Sequence, residues 1–194
     1  MERLGVMGGT FDPIHCGHLL LARSVRERLP LDRVLFVPAA DPPHKDHRAD
    51  IAASAHRWAM VERAIADEPG FEASPVELER NGKSYTVDSL RLLGEQNPGS
   101  ELFLLIGTDN VSDMTTWHDP EGILELCTVV AGSRPTQAAT RADPDLVSRI
   151  VFVETPVIDI SSTHIRQRLR DGLPVRWLLP GGVEEYIRAE RLYR

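Results

Sequence analysis

Gly8-Gly9-Thr10-Phe11-Asp12-Pro13-Ile14-His15-Cys16-Gly17-His18 follows a short apolar run, Leu4-Gly5-Val6-Met7, and precedes a stretch in which Leu21, Val25 and Leu29 recur every fourth residue. Apolar run, glycine pair and helical repeat read as strand, tight turn and helix N-terminus. His15 and His18 then sit about one turn apart on one helix face. A helix N-terminus presents N–H groups without intrahelical partners and a partial positive charge. Glycines ahead of it let a ligand approach the backbone closely. Together these make a phosphate site with two imidazole donors. A metal site built from His15, Cys16 and His18 fits poorly, because adjacent helical residues diverge and give no tetrahedral set. No metal-ligating side chains are expected.

Downstream, apolar runs alternate with helical patterns. Val34–Val37, Leu102–Ile106, Thr128–Ala131 and Ile150–Val153 read as strands. The continuous run Leu102–Ile106 suits a parallel strand buried on both faces. An extended segment is expected within 71–86. Ile51, Ala55, Trp58, Val61 and Ile65 mark one helix face. Further helices are expected at Asp88–Gln96, with Leu90 and Leu93 inward, at Ser162–Asp171 and at Val183–Leu192. The expected fold is α/β: one domain over 1–194, a doubly wound Rossmann-like parallel sheet with helices on both faces, and a small helical part from about 161. Such sheets bind ligands beyond the carboxyl ends of their strands, at the topological switch point. The opening motif and Gly107-Thr108-Asp109 both follow strands and should meet there. Residues 132–145 read as a loop.

Composition narrows the function classes. The chain has 194 residues, 42% of them hydrophobic, and a formal net charge of −7. An acidic protein carries no general nucleic-acid footprint, so any polyanion site is a local pocket. The apolar runs reach only about five residues, far short of the ~20 that span a membrane. No signal-peptide pattern opens the chain, and Cys16 and Cys127 make no disulfide framework. A cytoplasmic protein without nucleic-acid or membrane partners is expected; its oligomeric state is open.

A second phosphate element is Ser161-Ser162-Thr163-His164-Ile165-Arg166. Hydroxyls at a helix start are ordinary caps. They are also phosphate donors, and a guanidinium one turn later offers a planar fork of N–H groups. At the Gly107 turn, glycine admits a ligand closely and Asp109 can accept from ribose hydroxyls. Trp117 alone reads as core filler; Trp58 and Trp177 read as structural. Thr86 suits an N-cap, and a helix N-terminus there is also an anion site.

Taken together, these motifs resemble the HxGH nucleotidyltransferase superfamily, and the stretch from Gly8 to His18 resembles the nicotinate-nucleotide adenylyltransferase family in particular. Pro42-Pro43-His44-Lys45, Gly82-Lys83-Ser84-Tyr85-Thr86-Val87-Asp88, the Ser161–Arg166 motif and Leu178–Ile187 carry the likeness from about Leu4 to Tyr193. Thr108 departs from the Gly-Ala-Asp usual in that family. The resemblance implies transfer of AMP from ATP to nicotinate mononucleotide. His15, His18 and Arg166 would be catalytic. Gly8, Gly9, Thr10, Phe11, Gly107, Asp109, Ser161, Ser162 and Thr163 would bind ATP. Lys45, Tyr85, Thr86 and Trp117 would bind the mononucleotide, Trp117 stacking on its pyridine ring. Mg²⁺ would ride on the nucleotide. Nicotinamide mononucleotide as substrate, another HxGH transferase such as one for pantetheine phosphate or glycerol phosphate, and a nucleotide-sensing module without turnover remain open at this point.

Overall fold

Leu4, Val6, Leu104 and Val129 are buried in one apolar cluster, while Met7, Leu105 and Val130 are buried in a second. Alternate side chains of each strand therefore fill cores on opposite faces of a sheet, the period-two rule of extended chain. The computed structural model describes residues 1–42, 51–80, 82–132, 143–156 and 158–194. Its strands are β1 (Arg3–Gly9), β2 (Arg33–Pro38), β3 (Phe71–Ala73), β4 (Glu101–Gly107), β5 (Thr128–Gly132) and β6 (Val151–Val153). They form one six-stranded sheet in the order β3-β2-β1-β4-β5-β6, and every pairing is parallel.

Helices α1 (Cys16–Arg28), α2 (Ser54–Ile65), α7 (Ser162–Arg170) and α8 (Gly181–Ala189) pack on one face around Phe36, Val25, Val61 and Ile165. Helices α3 (Thr86–Gln96), α4 (Asp109–Asp113), α5 (Pro120–Leu126) and α6 (Pro144–Ser148) cover the other around Leu35, Leu90, Leu104 and Ile123. Each such fully buried side chain contributes about 1.5–3 kcal/mol. The expected doubly wound parallel sheet is the observed fold. Among the described residues, no helix is long and apolar enough to cross a membrane.

The chain runs from β1 out to β3, then returns to the other side of β1 as β4. The switch point therefore lies between β1 and β4, and Gly8 and Gly107 lie near their carboxyl ends.

Several local expectations differ from the structure. The inward face of α2 carries Arg57, Met60, Val61 and Ile65; Ala55 is exposed, Trp58 is half-buried, and Ile51 precedes the helix. Here a buried arginine, which a hydrophobicity pattern scores as surface, takes a core position. Thr86 is the first helical residue of α3 and Tyr85 is its cap. Pro144 and Asp145, expected in a loop, begin α6, with the Asp143 side chain accepting from Asp145 N–H at 2.9 Å. The rest of the expected 132–145 loop, from 133 to 142, lies outside the described residues. Trp177 is 79% exposed and fills no core. The short helices α4 and α5 have too few turns to show a repeat in sequence.

Candidate active site

A cavity of about 860 Å³ opens at the switch point. Gly8, Gly9, Thr10, His18 and Gly107 line it together with Tyr85, Thr86 and Trp117. A Cβ built on Gly8 or Gly107 would meet nothing within 4 Å. At both strand ends, glycine therefore leaves the backbone approachable from open space. Gly9 differs, since its Cβ would press the Phe11 ring at 3.1 Å.

His15 is the N-cap of α1, and His18 is its third residue. The His15 N–H donates to His18 Nδ1 at 3.2 Å. The two rings stack with centroids 3.7 Å apart, and the Phe11 ring meets His18 edge-on at 5.1 Å. Phe11 itself is buried and its ring belongs to the core. Burial pulls the His15 pKa down to about 4. Burial, and then the proximity of His15, pulls that of His18 well below the ordinary value. Both rings are thus neutral near pH 7. Because Nδ1 of His18 accepts, its neutral ring carries the proton on Nε2. Gly17 fits closely beside the His15 ring: a Cβ there would lie 3.1 Å from His15 Nδ1, tighter than an ordinary contact.

The start of α7 is pinned to the segment between Phe11 and His15. Ser162 Oγ donates to the carbonyl of Pro13 at 2.9 Å, and Arg166 Nη1 donates to that of Asp12 at 2.7 Å. Ser161 caps α7 by accepting from His164 N–H at 3.2 Å, and Arg166 Nη2 lies 3.5 Å from Thr163 Oγ1. The two sequence motifs therefore adjoin, about 150 residues apart in the chain. His15, Ser161, Ser162, Thr163, Arg166, Phe11 and Asp109 nevertheless do not line the cavity itself. Arg166 is buried against Asp12, at 4% exposure, where the sequence suggested a guanidinium fork offered to phosphate. Asp109 is exposed at the start of α4.

At the other end, the Tyr85 ring lies against His118, with centroids 4.3 Å apart, next to Trp117 and the first turn of α3. Asp88 in that turn is neutralised by Arg80 at 2.9 Å and Arg91 at 3.4 Å. Lys45 lies outside the described residues, as do Pro43 and His44 of the same motif; Pro42 lines the cavity.

Sequence reasoning missed the groups that brace the site. Arg57 is buried and donates to the carbonyls of Thr10, Ala40 and Ala52 at 2.8, 3.3 and 3.0 Å. Its place on an otherwise apolar helix stripe was the available signal. The Thr108 hydroxyl donates to Gly132 O at 2.7 Å, joining the ends of β4 and β5. Among the described residues, no group of three His, Cys, Asp or Glu side chains could hold a metal ion.

The sequence pattern of the cytidylyltransferase-like family matches residues 6–168, the span from β1 to α7. The class defined by fold and site is thus a nucleotidyl-transfer one. A protein of Thermomicrobium roseum named "Probable nicotinate-nucleotide adenylyltransferase" is 44% identical, over 100% of this chain and 92% of its own length. One of the same name from Bacillus pumilus is 42% identical, over 100% and 99%. A solved structure, "Plasmodium falciparum nicotinic acid mononucleotide adenylyltransferase complexed with NaAD", superposes with a TM-score of 0.82 over 100% of this chain and 98% of that one; at 17% identity it attests the fold. The chain belongs to the cytidylyltransferase-like family, in its nicotinate-nucleotide adenylyltransferase branch.

Proposed function

We propose that the chain transfers the adenylyl group of ATP to the phosphate of nicotinate mononucleotide, giving nicotinate adenine dinucleotide and pyrophosphate in a cytoplasmic route to NAD. The observation that carries this reading is the single cavity lined both by Gly8, Gly9, Thr10, His18 and Gly107 and by Tyr85, Thr86 and Trp117. One nucleotide at each end brings the acceptor phosphate to the α-phosphorus.

The nucleophile is a phosphate oxygen, already ionised near neutral pH, so no general base is required. Its bond to the α-phosphorus forms as the bond to the bridging oxygen of pyrophosphate breaks. Catalysis then rests on position and charge stabilisation. His18 would donate from Nε2–H to the triphosphate as a neutral ring, with His15 fixing its orientation. Arg166, set beside the motif by α7, would add positive charge. The backbone of Gly8 to Phe11, the hydroxyls of Ser161 and Thr163, and the N–H of Ser162, whose hydroxyl is given to the Pro13 carbonyl, would complete the phosphate contacts. Gly107 and Asp109 would meet the ATP ribose, and Lys45 the attacking phosphate. Magnesium would be held by nucleotide oxygens and water, which suits a site whose described residues offer no carboxylate cluster. It would neutralise triphosphate charge.

For the pyridine ring, Tyr85 and Trp117 offer aromatic faces. Thr86 opens α3, where the amides lack intrahelical partners and carry partial positive charge. With Asp88 neutralised by two arginines, this end favours the carboxylate of nicotinate over the amide of nicotinamide. The test is to incubate the full chain with ATP, Mg²⁺ and either mononucleotide, measuring dinucleotide and pyrophosphate. At least a tenfold preference in kcat/KM for the acid, about 1.4 kcal/mol, is expected. A preference for the amide overturns the substrate assignment alone. Absence of pyrophosphate with both overturns the reaction.

A further inference from the structure

Asp12 is 2% exposed and lies three residues before His15, yet the phosphate chemistry above gives its carboxylate no task. What it touches comes from three distant parts of the chain. Oδ1 accepts from the hydroxyl of Tyr193 at 2.6 Å and from the N–H of Ala52 at 3.1 Å. Oδ2 lies 3.6 Å from Arg166 Nη1, while the same nitrogen donates to the Asp12 carbonyl at 2.7 Å. With Oδ1 held by two donors, the carboxylate plane is fixed. Oδ2 then steadies the guanidinium by charge from outside hydrogen-bond range, without a bidentate fork that would draw it fully onto Asp12.

The shorter of the two bonds to Oδ1 comes from Tyr193, beyond α8. Reaching Asp12 requires the tail to turn back after α8, with both Arg191 (φ 55°) and Tyr193 (φ 63°) in the left-handed region. That conformation is unfavourable for both residue types and persists where the surroundings hold it. Burial, and then the Asp12 charge, raise the Tyr193 pKa, so its hydroxyl stays a donor.

We infer that the Tyr193 hydroxyl is a positioning group for adenylyl transfer, acting through Asp12 to hold the Arg166 guanidinium in its working orientation. This rests on the role given to Arg166 under the proposed function. Loss of the hydroxyl leaves Oδ1 with only the Ala52 N–H of these two donors, the carboxylate turns toward Arg166, and the guanidinium is drawn away from the triphosphate.

The test is a double-mutant cycle on the full chain with Tyr193→Phe, Arg166→Lys and the pair. It reads melting temperature, kcat, both KM values and, by calorimetry, ATP affinity without the second substrate. Tyr193→Phe is expected to lower kcat and ATP affinity about tenfold with the mononucleotide KM unchanged; in the Arg166→Lys background the same change should cost less than about twofold. Equal losses in both backgrounds mean a latch that merely supports the fold, and no loss means no role; either overturns the inference. Should Tyr193→Phe lower the melting temperature, Asp12→Asn serves as the second variant, with the same loss and the same dependence on Arg166 expected. If the unaltered chain makes no dinucleotide, the proposed reaction fails, while the coupling is still decided by the ATP affinities.

Discussion

The imidazoles of His15 and His18 lie nearly parallel, inclined by 25°, with the His15 N–H bonded to His18 Nδ1. Two stacked rings, His15 buried and His18 half-buried at the cavity wall, resist protonation, and this ties stability to pH. Above about pH 6.5, His15 is neutral in both the folded and the unfolded chain. As pH falls, the unfolded chain takes up protons near 6.5, whereas the folded one resists until about 4. Acid therefore favours unfolding across that window. By linkage, His15 alone accounts for a loss of about 2 kcal/mol at pH 5 relative to pH 7. Denaturant unfolding at the two pH values should show this loss shrinking by about that amount in His15→Gln. An unchanged loss would contradict the depressed pKa.

If His18 acts as a neutral Nε2–H donor, then the donor, and not the charge, is what catalysis needs. His18→Ala should lower kcat by about 10²–10³ with a native-like fold. Gln keeps an N–H near the Nε2 position, so His18→Gln should recover part of that loss. Steady-state assays with circular dichroism as the folding check decide it. Near-normal turnover in the alanine variant would remove His18 from the mechanism, and Gln no better than Ala would remove the neutral-donor reading.

The sheet was legible because Val34–Val37, Leu102–Ile106 and Val129–Ala131 are short apolar runs between helical patterns, which suits parallel strands covered on both faces. The switch-point cavity followed from the glycines after the runs Leu4–Met7 and Leu102–Ile106. What sequence did not show was the bracing. Arg57 breaks the apolar periodicity of α2, because its charge is met by three carbonyls brought from other segments. Asp12 and Tyr193 are 181 residues apart, and nothing local links them. Arg166 was readable as a phosphate ligand by type and spacing, but its burial against Asp12 is set by tertiary packing. Trp177, read as structural, is on the surface.

Open space beside Gly8 and Gly107 makes a separate expectation. Alanine at either position meets no protein atom within 4 Å, so the fold should be retained with a melting temperature near that of the unaltered chain. The added methyl instead enters the cavity where a nucleotide would approach the backbone. Either substitution should raise the KM for ATP about tenfold, a cost of about 1.4 kcal/mol in binding. Gly9→Ala is the contrast, because its methyl presses the Phe11 ring and should lower the melting temperature as well. Unaltered ATP kinetics in the Gly8 and Gly107 variants would place the nucleotide elsewhere.

The end of α8 carries a residue in a conformation better suited to glycine. Arg191 follows the C-cap Glu190 with φ 55°. Its N–H reaches Arg188 O at 3.4 Å, and the Leu192 N–H reaches Ile187 O at 3.1 Å. This paired closure of a helix end normally places glycine at the left-handed position, because a Cβ there crowds the backbone. The Arg191 side chain is exposed, so little packing is lost on its removal. Arg191→Gly should therefore stabilise the chain by about 0.5–1 kcal/mol, the relief of left-handed strain less the added freedom of the unfolded chain. Denaturant midpoints measure it directly. Because the turn delivers Tyr193 to Asp12, kcat should be unchanged. A gain in stability accompanied by a fall in kcat would mean that the arginine itself steers the tail.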